Sequence, residues 1–226
     1  MILIIKKSEE LNSPQIEQPH EVIDLENLLR SNLELSKYSD LVILGGDGTI
    51  LRSIHKTKNV PNIYTFNFGT LGYLTTFKKE EINKLSEILK GDKTNREIRK
   101  RLRLSNSFYI LNEAVFTTRS RRLNKFILNI DNQQMVLSGD SLIVSTRTGS
   151  TGYNHSAGGP VLLCDCIVIN IVAPNKSNFR PLVVDMASKI DVQILSTDGL
   201  VIADGVEYES MEMAIEYDGN EVYFVK

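Results

Sequence analysis

The amino-acid sequence predicts an α/β domain followed by an all-β domain. In the first half, apolar runs of strand length alternate with helical patterns, an order typical of a parallel sheet covered by helices. In the second half, short β-rich runs are separated by turn residues and helix signals are few, which is typical of an antiparallel sandwich or meander. The pattern changes near residue 100, so we expect one domain at residues 1–100 and another at residues 101–226.

The elements of the first domain are predicted from the spacing of its apolar residues. Continuous apolar runs place buried strands at residues 2–5, 40–44 and 62–66. Apolar residues at helical spacing predict helices at residues 21–35 and 80–89, and a further helix is expected to begin at Thr49. Gly91 follows the last helix at the position where a left-handed residue often ends one.

The second domain is predicted to consist of short strands. They are expected at residues 108–111, 114–118, 126–130, 135–137, 142–145, 166–172, 190–194, 213–217 and 222–225. A basic stretch from Arg96 to Arg103 separates the two patterns. It is either a solvated face or a contact for a substrate phosphate.

Composition excludes several classes of protein. Hydrophobic residues make up 42 % of the chain and charged residues 24 %, as in an ordinary folded protein. The formal net charge of −2 argues against nucleic acid as a partner, because binding through phosphates needs a clustered positive surface. No stretch approaches the roughly 18 apolar residues of a membrane span, and residues 1–7 do not have the pattern of a signal peptide. We therefore expect a cytoplasmic protein with no membrane partner.

The two cysteines predict no disulfide. Cys164 and Cys166 would lie two residues apart on one face of a strand, which is a poor geometry for a mutual disulfide. We expect them to be reduced and to serve as small buried side chains, with a metal or redox role as the alternative. The three histidines show no metal-ligand spacing.

The first motif that carries chemistry is the string GGDGT at residues 45–49, which follows an apolar strand. Its glycines permit positive φ angles, so that successive N–H groups can form a nest for an anion, and a following helix adds its N-terminal dipole. A carboxylate at Asp47 suits phosphoryl transfer, in which a base orients the acceptor hydroxyl and takes its proton. The alternative is a tight strand-to-helix turn with an aspartate at the helix N-terminus.

Two shorter motifs are weaker signals. The string NFGTLGYL at residues 67–74 follows the next strand, so we expect both glycine-containing loops at the same carboxyl edge of the sheet, where open α/β sheets bind ligands. It could equally be an ordinary turn. Asn112 and Glu113 lie between apolar residues, where a buried glutamate needs a partner, although they could also point outward at a strand end.

The most specific segment is GDSLIVSTRTGSTGYNHSAGGP at residues 139–160. Its threonines and serines can donate and accept hydrogen bonds to ribose and amide groups, and Tyr153 can stack on a flat ring. On residue chemistry alone it predicts either a loop that binds a polar ligand or a structural loop.

Together these motifs resemble those of the NAD kinase family. GGDGT is similar to a signature that NAD kinases share with diacylglycerol kinase-like lipid kinases, and residues 67–74 and 111–115 resemble the family's NxGxLGFL and LNE elements. Residues 139–160 resemble the NAD kinase signature over their whole length. Weaker likenesses lie at Pro174 to Leu182 and at Asp204-Gly205.

The resemblance implies a Rossmann-like parallel α/β domain, a β-sandwich-like domain and transfer of the ATP γ-phosphoryl group to the adenosine 2′-hydroxyl of NAD. It implies Asp47 as the catalytic base, with ATP phosphates and Mg²⁺ near Gly45, Gly46, Gly48 and Thr49. It also implies an NAD site formed by Asn112, Glu113, Asp140, Thr148, Thr151, Tyr153 and Ser156. In the family, residues of the long loop complete the site of a neighbouring subunit, so a homodimer or homotetramer is implied.

The sequence departs from the family pattern in several places. Ser141, Arg147 and Gly152 replace the usual Gly, Pro and Ala of the long segment, and Asn175 replaces a histidine. Arg147 could meet a nucleotide phosphate, pair with another subunit or face solvent. The sequence also ends soon after Asp204-Gly205, without a terminal helix found in many members, and we expect oligomerisation to replace its contacts.

Two other functions remain open on the sequence. They are a lipid or sphingoid-base kinase of the same superfamily and a catalytically silent nucleotide-binding homologue. The sequence does not distinguish NAD from NADH as the acceptor, or ATP from another nucleotide or polyphosphate as the donor.

Overall fold

The computed structural model of the protein describes residues 1–70, 72–120, 123–175 and 179–226. Within them the chain forms two compact units. Unit 1 contains Met1–Arg99 and Glu221–Lys226, and unit 2 contains Lys100–Asn220. No helix in the described part of the chain is long and apolar enough to cross a membrane.

Unit 1 is built on one sheet, to which seven strands contribute within the described residues. These strands are β1 Ile2–Lys6, β2 His20–Asp24, β3 Asp40–Gly45, β4 Asn62–Asn67, β5 Phe77–Lys78, β6 Arg96–Lys100 and the last strand of the chain, β19 Glu221–Val225. Their order is β2-β1-β3-β4-β19-β6, and β5 pairs with β4. β1 to β4 are mutually parallel, which confirms the predicted parallel α/β fold.

Helices cover this sheet and complete its core. They are α1 Leu25–Arg30, α2 Asp47–Ile54 and α3 Leu85–Lys90, with 3-10 turns at Leu35–Lys37 and Lys79–Lys84. Val42 and Leu44 of β3 pack with Tyr64 and Phe66 of β4 and with Leu85 of α3. Buried apolar strands flanked by helices are what βαβ connections produce in a parallel sheet.

Two local predictions for unit 1 are wrong. The helix expected at residues 21–35 is strand β2 followed by the shorter helix α1, because residues 20–24 pair with β1 and the Asp24 carboxylate accepts a hydrogen bond from the backbone N–H of Asn27 at the start of α1. Gly91 ends α3 with a φ of −70°, so it does not use the left-handed conformation.

The last strand also differs from expectation. The sequence predicts residues 222–225 as one of the antiparallel strands, whereas β19 runs parallel to β4, with Phe224 opposite Ile63. A short apolar run is compatible with a parallel or an antiparallel neighbour, so its sequence does not show which sheet it joins.

Unit 2 is a sandwich of antiparallel sheets. Its strands are β7 Leu102–Leu104, β8 Tyr109–Ile110, β9 Glu113–Thr118, β10 Asn124–Ile130, β11 Gln133–Gly139, β12 Ser141–Ser145, β13 Cys166–Val172, β14 Leu182–Asp185, β15 Ile190–Ile194, β16 Gly199–Ala203, β17 Val206–Glu209 and β18 Glu212–Glu216. They form two six-stranded sheets, ordered β11-β10-β15-β18-β7-β8 and β14-β13-β12-β9-β16-β17. Phe126 and Leu128 of one sheet share a core with Phe116 and Val144 of the other, which confirms the predicted sandwich.

The ligand loop of unit 2, which we define as residues 146–162, leaves the second sheet between β12 and β13. It contains a 3-10 turn at Gly149–Thr151 and the short helix α4 at Tyr153–Ser156. Part of the weaker resemblance at residues 174–182 lies outside the described residues.

The interpretation of the basic stretch as a solvated face is wrong for Arg101. This side chain is fully buried in unit 2, where its Nε donates a hydrogen bond to Asn220 Oδ1 at 2.8 Å and its guanidinium lies 4.8 Å from the ring centre of Tyr109. The neighbouring cations are partly exposed and form ion pairs, such as that of Arg103 with Glu216 at 2.6 Å. A fully buried arginine needs such polar and aromatic partners, because the transfer of an unpaired charge out of water is costly.

Candidate active site

In unit 1 the candidate residues lie at the carboxyl ends of β3 and β4. Gly45 is opposite Asn67 in the parallel register, and the backbone N–H of Phe68 donates to the carbonyl of Gly45 at 3.1 Å. The GGDGT turn and the loop that follows β4 therefore lie side by side, as predicted. This edge of an open parallel sheet is where such folds bind ligands.

The conformation of the GGDGT turn differs from the predicted anion nest. The helix α2 begins at Asp47 instead of Thr49, and none of Gly45, Gly46 and Gly48 has a positive φ. Gly45 is required for close packing, since a Cβ at this position would lie 2.4 Å from Thr49 Oγ1. Gly45 and Thr49 are buried, whereas Gly48 is exposed and Gly46 is partly exposed, so the accessible backbone lies at the first turn of α2.

Asp47 links this turn to the second loop. Its Oδ2 accepts a hydrogen bond from the backbone N–H of Tyr73 at 3.0 Å, and its Oδ1 accepts one from the N–H of Leu74, also at 3.0 Å. The far side of the loop is held by Thr65, whose hydroxyl donates to the carbonyl of Leu74. The half-buried carboxylate thus has a fixed orientation, and its oxygens retain lone pairs that can accept a hydrogen bond from a substrate.

In unit 2, Asn112 and Glu113 are positioned by the buried carboxylate of Asp204. This carboxylate accepts hydrogen bonds from the backbone N–H groups of Leu111 at 2.6 Å, Asn112 at 2.9 Å and Glu113 at 3.1 Å. The backbone N–H of Asp204 in turn donates to the carbonyl of Glu113 at 3.0 Å. The segment is therefore held through its backbone, which leaves both side chains available.

The side chains of Asn112 and Glu113 each keep a buried oxygen without a hydrogen-bond partner. These atoms are Asn112 Oδ1 and Glu113 Oε2. Buried polar atoms in native proteins are nearly always paired, so two unpaired oxygens on adjacent residues indicate a place where a ligand supplies the missing hydrogen-bond partners. This observation favours the binding interpretation over the outward-facing polar pair.

Burial perturbs the titration of this cluster. Desolvation, with a smaller contribution from the negative charge of Asp204, raises the pKa of Glu113 to about 8. Desolvation also raises the pKa of Asp204 to about 6, against the effect of its three N–H donors and of Arg101. Burial lowers the pKa of Arg101 to about 10, so Arg101 remains a cation at neutral pH.

A cavity of about 550 Å³ in unit 2 contains three of the predicted NAD-binding residues. Glu113, Asp140 and Tyr153 line it together with Val115, Thr117, Ser141, Val172, Ile202 and Gly205. This volume and the mixture of apolar walls with a few polar groups are typical of small-molecule sites. Thr117 and Ser141 were missed as site residues, although Glu113, Val115 and Thr117 alternate along β9 and therefore share one face, a signal that the sequence contains.

Thr148, Thr151 and Ser156 do not line this cavity. They lie on the ligand loop, where Thr151 Oγ1 donates to the carbonyl of Thr148 and Ser156 Oγ donates to that of Gly152, at 3.4 Å each. Thr151 and Ser156 are exposed. Their predicted contact with NAD therefore remains a prediction.

The ligand loop is fixed by buried polar side chains. Ser150 donates to the carbonyl of Arg147 and accepts from the N–H of Leu162. Asn154 is fully buried and donates to the carbonyls of Ser150 and Pro160. These bonds join the two ends of the loop, so its shape is set before any ligand binds.

Two of the departures from the family pattern have a local explanation. A Cβ at Gly152 would lie 3.3 Å from the carbonyl oxygen of Gly149, which is closer than most Cβ contacts, so glycine fits this position more easily than the alanine usual in the family. The exposed Arg147 forms an ion pair with Asp165 of the same unit, with 3.7 Å between Nη1 and Oδ1.

We expect the ligand-free protein to lose stability as the pH rises from about 5 to about 8. Folded Glu113, with its pKa at about 8, keeps a proton that the unfolded residue releases near its ordinary value of 4.5, so the folded state binds more protons across this interval. Chemical denaturation should show a smaller fall in the free energy of unfolding for Glu113→Gln than for the wild-type protein. Glu212 is exposed and serves as the control, because Glu212→Gln should show the same fall in the free energy of unfolding as the wild-type protein. An equal fall in all three proteins would contradict the raised pKa of Glu113.

Comparison with known proteins supports one family for both units. The ATP-NAD kinase N-terminal domain matches residues 7–93, and the ATP-NAD kinase C-terminal domain matches residues 111–217. The chain is 31 % identical over 202 residues to the NAD kinase of Archaeoglobus fulgidus, a match that covers 87 % of this chain and 78 % of the relative. It is 34 % identical over 212 residues to a bifunctional NADP phosphatase/NAD kinase of Methanocaldococcus jannaschii; that match covers 85 % of this chain but only 37 % of the relative.

Solved structures agree with the sequence matches. The crystal structure of the Archaeoglobus fulgidus NAD kinase in complex with ATP has a TM-score of 0.80 to this chain at 28 % identity, and the match covers 100 % of this chain and 93 % of the other. The crystal structure of yeast NADH kinase complexed with NADH has a TM-score of 0.76 to this chain at 26 % identity, and the match covers 99 % of this chain and 73 % of the other. Both domain matches, the identity to relatives and the shared fold have the same consequence: the chain belongs to the NAD kinase family.

Proposed function

We propose that the chain transfers the γ-phosphoryl group of ATP to the adenosine 2′-hydroxyl of NAD, with NADP and ADP as products. The observation that carries this proposal is the Asp47 carboxylate, which two backbone N–H groups orient at the carboxyl edge of a parallel sheet. Family membership supports the same reaction, as do the ATP and NADH complexes of the two similar structures.

For the donor, we infer that the phosphates of ATP bind at the first turn of α2. Gly46 and Gly48 offer accessible backbone there, and the helix N-terminus favours an anion. Gly45 and Thr49 would contribute by fixing the turn through their close packing.

Mg²⁺ is proposed to arrive with ATP as part of the substrate. Among the residues that the structure describes, no group of three or more His, Cys, Asp and Glu side chains could hold a metal by itself. The ATP phosphates would hold Mg²⁺ beside the GGDGT turn, because Mg²⁺ prefers oxygen ligands and usually keeps contact with substrate phosphates. When bound, the ion would neutralise charge on the transferred phosphoryl group.

For the acceptor, we infer that NAD binds in the cavity of unit 2. Glu113, Asp140 and Tyr153 line this cavity. Asn112 does not line it, but its unpaired oxygen would bind the adenosine part together with that of the adjacent Glu113. Thr148, Thr151 and Ser156 are proposed to complete the site from the ligand loop. In the reaction, Asp47 accepts the proton of the 2′-hydroxyl, whose oxygen takes the γ-phosphoryl group as its bond to ADP breaks.

We also infer a homodimer or homotetramer in the cytoplasm. Val161 and Leu163 of the segment around the ligand loop are exposed, Leu163 at 87 %, and an apolar surface of this kind favours burial against another subunit. Light scattering of the purified protein tests the oligomer, and a monomer at micromolar concentration would contradict it.

Replacing Asp47 tests the proposed base. Asp47→Asn keeps the size of the side chain but cannot take the hydroxyl proton, so kcat should fall by about 10²-fold or more. Activity is measured as NADP formed from NAD, ATP and Mg²⁺, and circular dichroism checks the fold. Asp92→Asn is the matched control, because Asp92 is an exposed carboxylate of unit 1 that also accepts two hydrogen bonds, both from Thr94. Near-normal turnover of folded Asp47→Asn would rule out the role of base.

Replacing Asn112 tests the proposed acceptor site. Asn112→Ala removes a buried oxygen that lacks a protein partner, so NAD should bind at least several-fold more weakly while ATP binding stays nearly unchanged. Calorimetric titrations with each nucleotide separate the two effects. Asn129→Ala, a change at a residue of β10 outside the cavity, should alter neither affinity. A loss confined to ATP would reverse the assignment of the two sites.

A further inference from the structure

The side chains of Cys164 and Cys166 lie close together at the start of β13. Their sulfur atoms are 3.6 Å apart and share a hydrogen bond. Cys164 is exposed and Cys166 is partly exposed, so the expectation that both are buried is wrong. Neither residue has a part in the proposed reaction.

The local backbone is more favourable for a disulfide than the predicted strand. In an extended strand, residues two apart have Cα atoms about 6.6–6.8 Å from each other, at the upper end of the range that disulfides span. Here the chain bends at residues 163–165 and β13 begins only at Cys166, so Cys164 lies outside the strand. The two sulfurs lie 3.6 Å apart, about 1.6 Å more than the S–S bond length of roughly 2.0 Å.

We propose that Cys164 and Cys166 form a reversible dithiol–disulfide pair whose oxidant is a low-molecular-weight disulfide of the glutathione class. The thiolate of Cys164, the more exposed sulfur, attacks the small disulfide, and one thiolate leaves. Cys166, after losing its proton, attacks the sulfur of Cys164 in the mixed disulfide, and the second thiolate leaves. The protein loses two protons and two electrons, and the small disulfide becomes two thiols.

The surroundings of the pair make the disulfide slow to form and easy to reduce. The hydrogen bond with Cys164, desolvation and the carboxylates of Asp185 and Asp165 raise the pKa of the Cys166 thiol. Cys166 therefore forms less thiolate at neutral pH, and the second step, in which Cys166 attacks the mixed disulfide, should be faster in mildly alkaline solution. A ring closed over three residues at an exposed site belongs to the strained, accessible disulfides, which are the readily reduced ones.

Closing this disulfide would act on the ligand loop through the residue between the cysteines. Asp165 pairs with Lys100 at 3.2 Å and with Arg147, at the start of the ligand loop, at 3.7 Å. We expect the closing of the bond to turn the backbone at Asp165 and so to move its carboxylate away from these cations. This consequence rests on the proposed function, in which the ligand loop contacts NAD.

Peptide mass spectrometry tests the pair without reference to activity. The whole protein is incubated with oxidised glutathione at about pH 8, alkylated and digested. We expect the wild-type peptide that contains both cysteines to carry no alkyl group and to be two hydrogens lighter than the same peptide with two free thiols. Treatment with dithiothreitol before alkylation should reverse the change. Cys164→Ser and Cys166→Ser should instead each keep one thiol or carry one glutathione. Wild-type protein that ends with two free thiols, with a persistent glutathione adduct or as a disulfide-linked dimer would overturn the proposal.

Calorimetry with NAD then tests the connection to the ligand loop. Because an exposed ion pair contributes roughly 0.2–1 kcal/mol, loss of the contact between Asp165 and Arg147 should weaken NAD binding measurably, by about 1.4-fold to fivefold. Asp165→Asn should reproduce that weakening, and the protein with both cysteines changed to serine should not respond to glutathione. Unchanged affinity after complete oxidation would overturn this connection. If the reduced protein binds no NAD, the proposed function is contradicted instead. The mass-spectrometric test of the disulfide is unaffected by that outcome.

Discussion

The buried carboxylate of Asp204 is the interaction on which the candidate site of unit 2 depends. It is almost completely buried, so its charge must be compensated by the protein, and three consecutive N–H groups at residues 111–113 supply hydrogen bonds. The backbone conformation also fixes the position of this carboxylate. Asp204 has a φ of +47° and Gly205 a φ of +80°, and the turn that they form directs the carboxylate back toward β9. The buried cation Arg101 supplies the opposite charge.

This arrangement has a consequence for recognition as well as for folding. The attraction between two buried charges is weak evidence of stability, since the desolvation of both charges offsets much of it. The effect of this arrangement on Glu113 is more specific. Burial, together with the nearby charge of Asp204, raises the pKa of Glu113 to about 8, so this side chain is neutral in most molecules at pH 7. A neutral carboxyl group donates one hydrogen bond and accepts others, which suits a ribose hydroxyl better than an acceptor-only carboxylate does.

The sequence predicted the two folds and the position of their motifs because these features are local. The apolar runs of β3 and β4 and the strings that follow them define their own strand ends, whereas the burial of Arg101 depends on Asn220 and Tyr109, residues brought near by the fold. The sequence also does not show the bend at Cys164. Its spacing from Cys166 is that of two residues on one face of a strand, but the strand begins only at Cys166. In β2, Val22 and Ile23 fit a helix or a strand, and pairing with β1 decided between the two.

In unit 1, as in unit 2, backbone N–H groups donate hydrogen bonds to a carboxylate, here that of Asp47. The N–H groups of Tyr73 and Leu74 fix the Asp47 carboxylate in place. In a loose transition state the phosphoryl group has largely left its donor before the acceptor hydroxyl loses its proton, so the base acts late and needs position more than strength. A carboxylate oriented by two N–H groups at a helix N-terminus is suited to that order of events, because fixed geometry contributes to the rate before the proton moves.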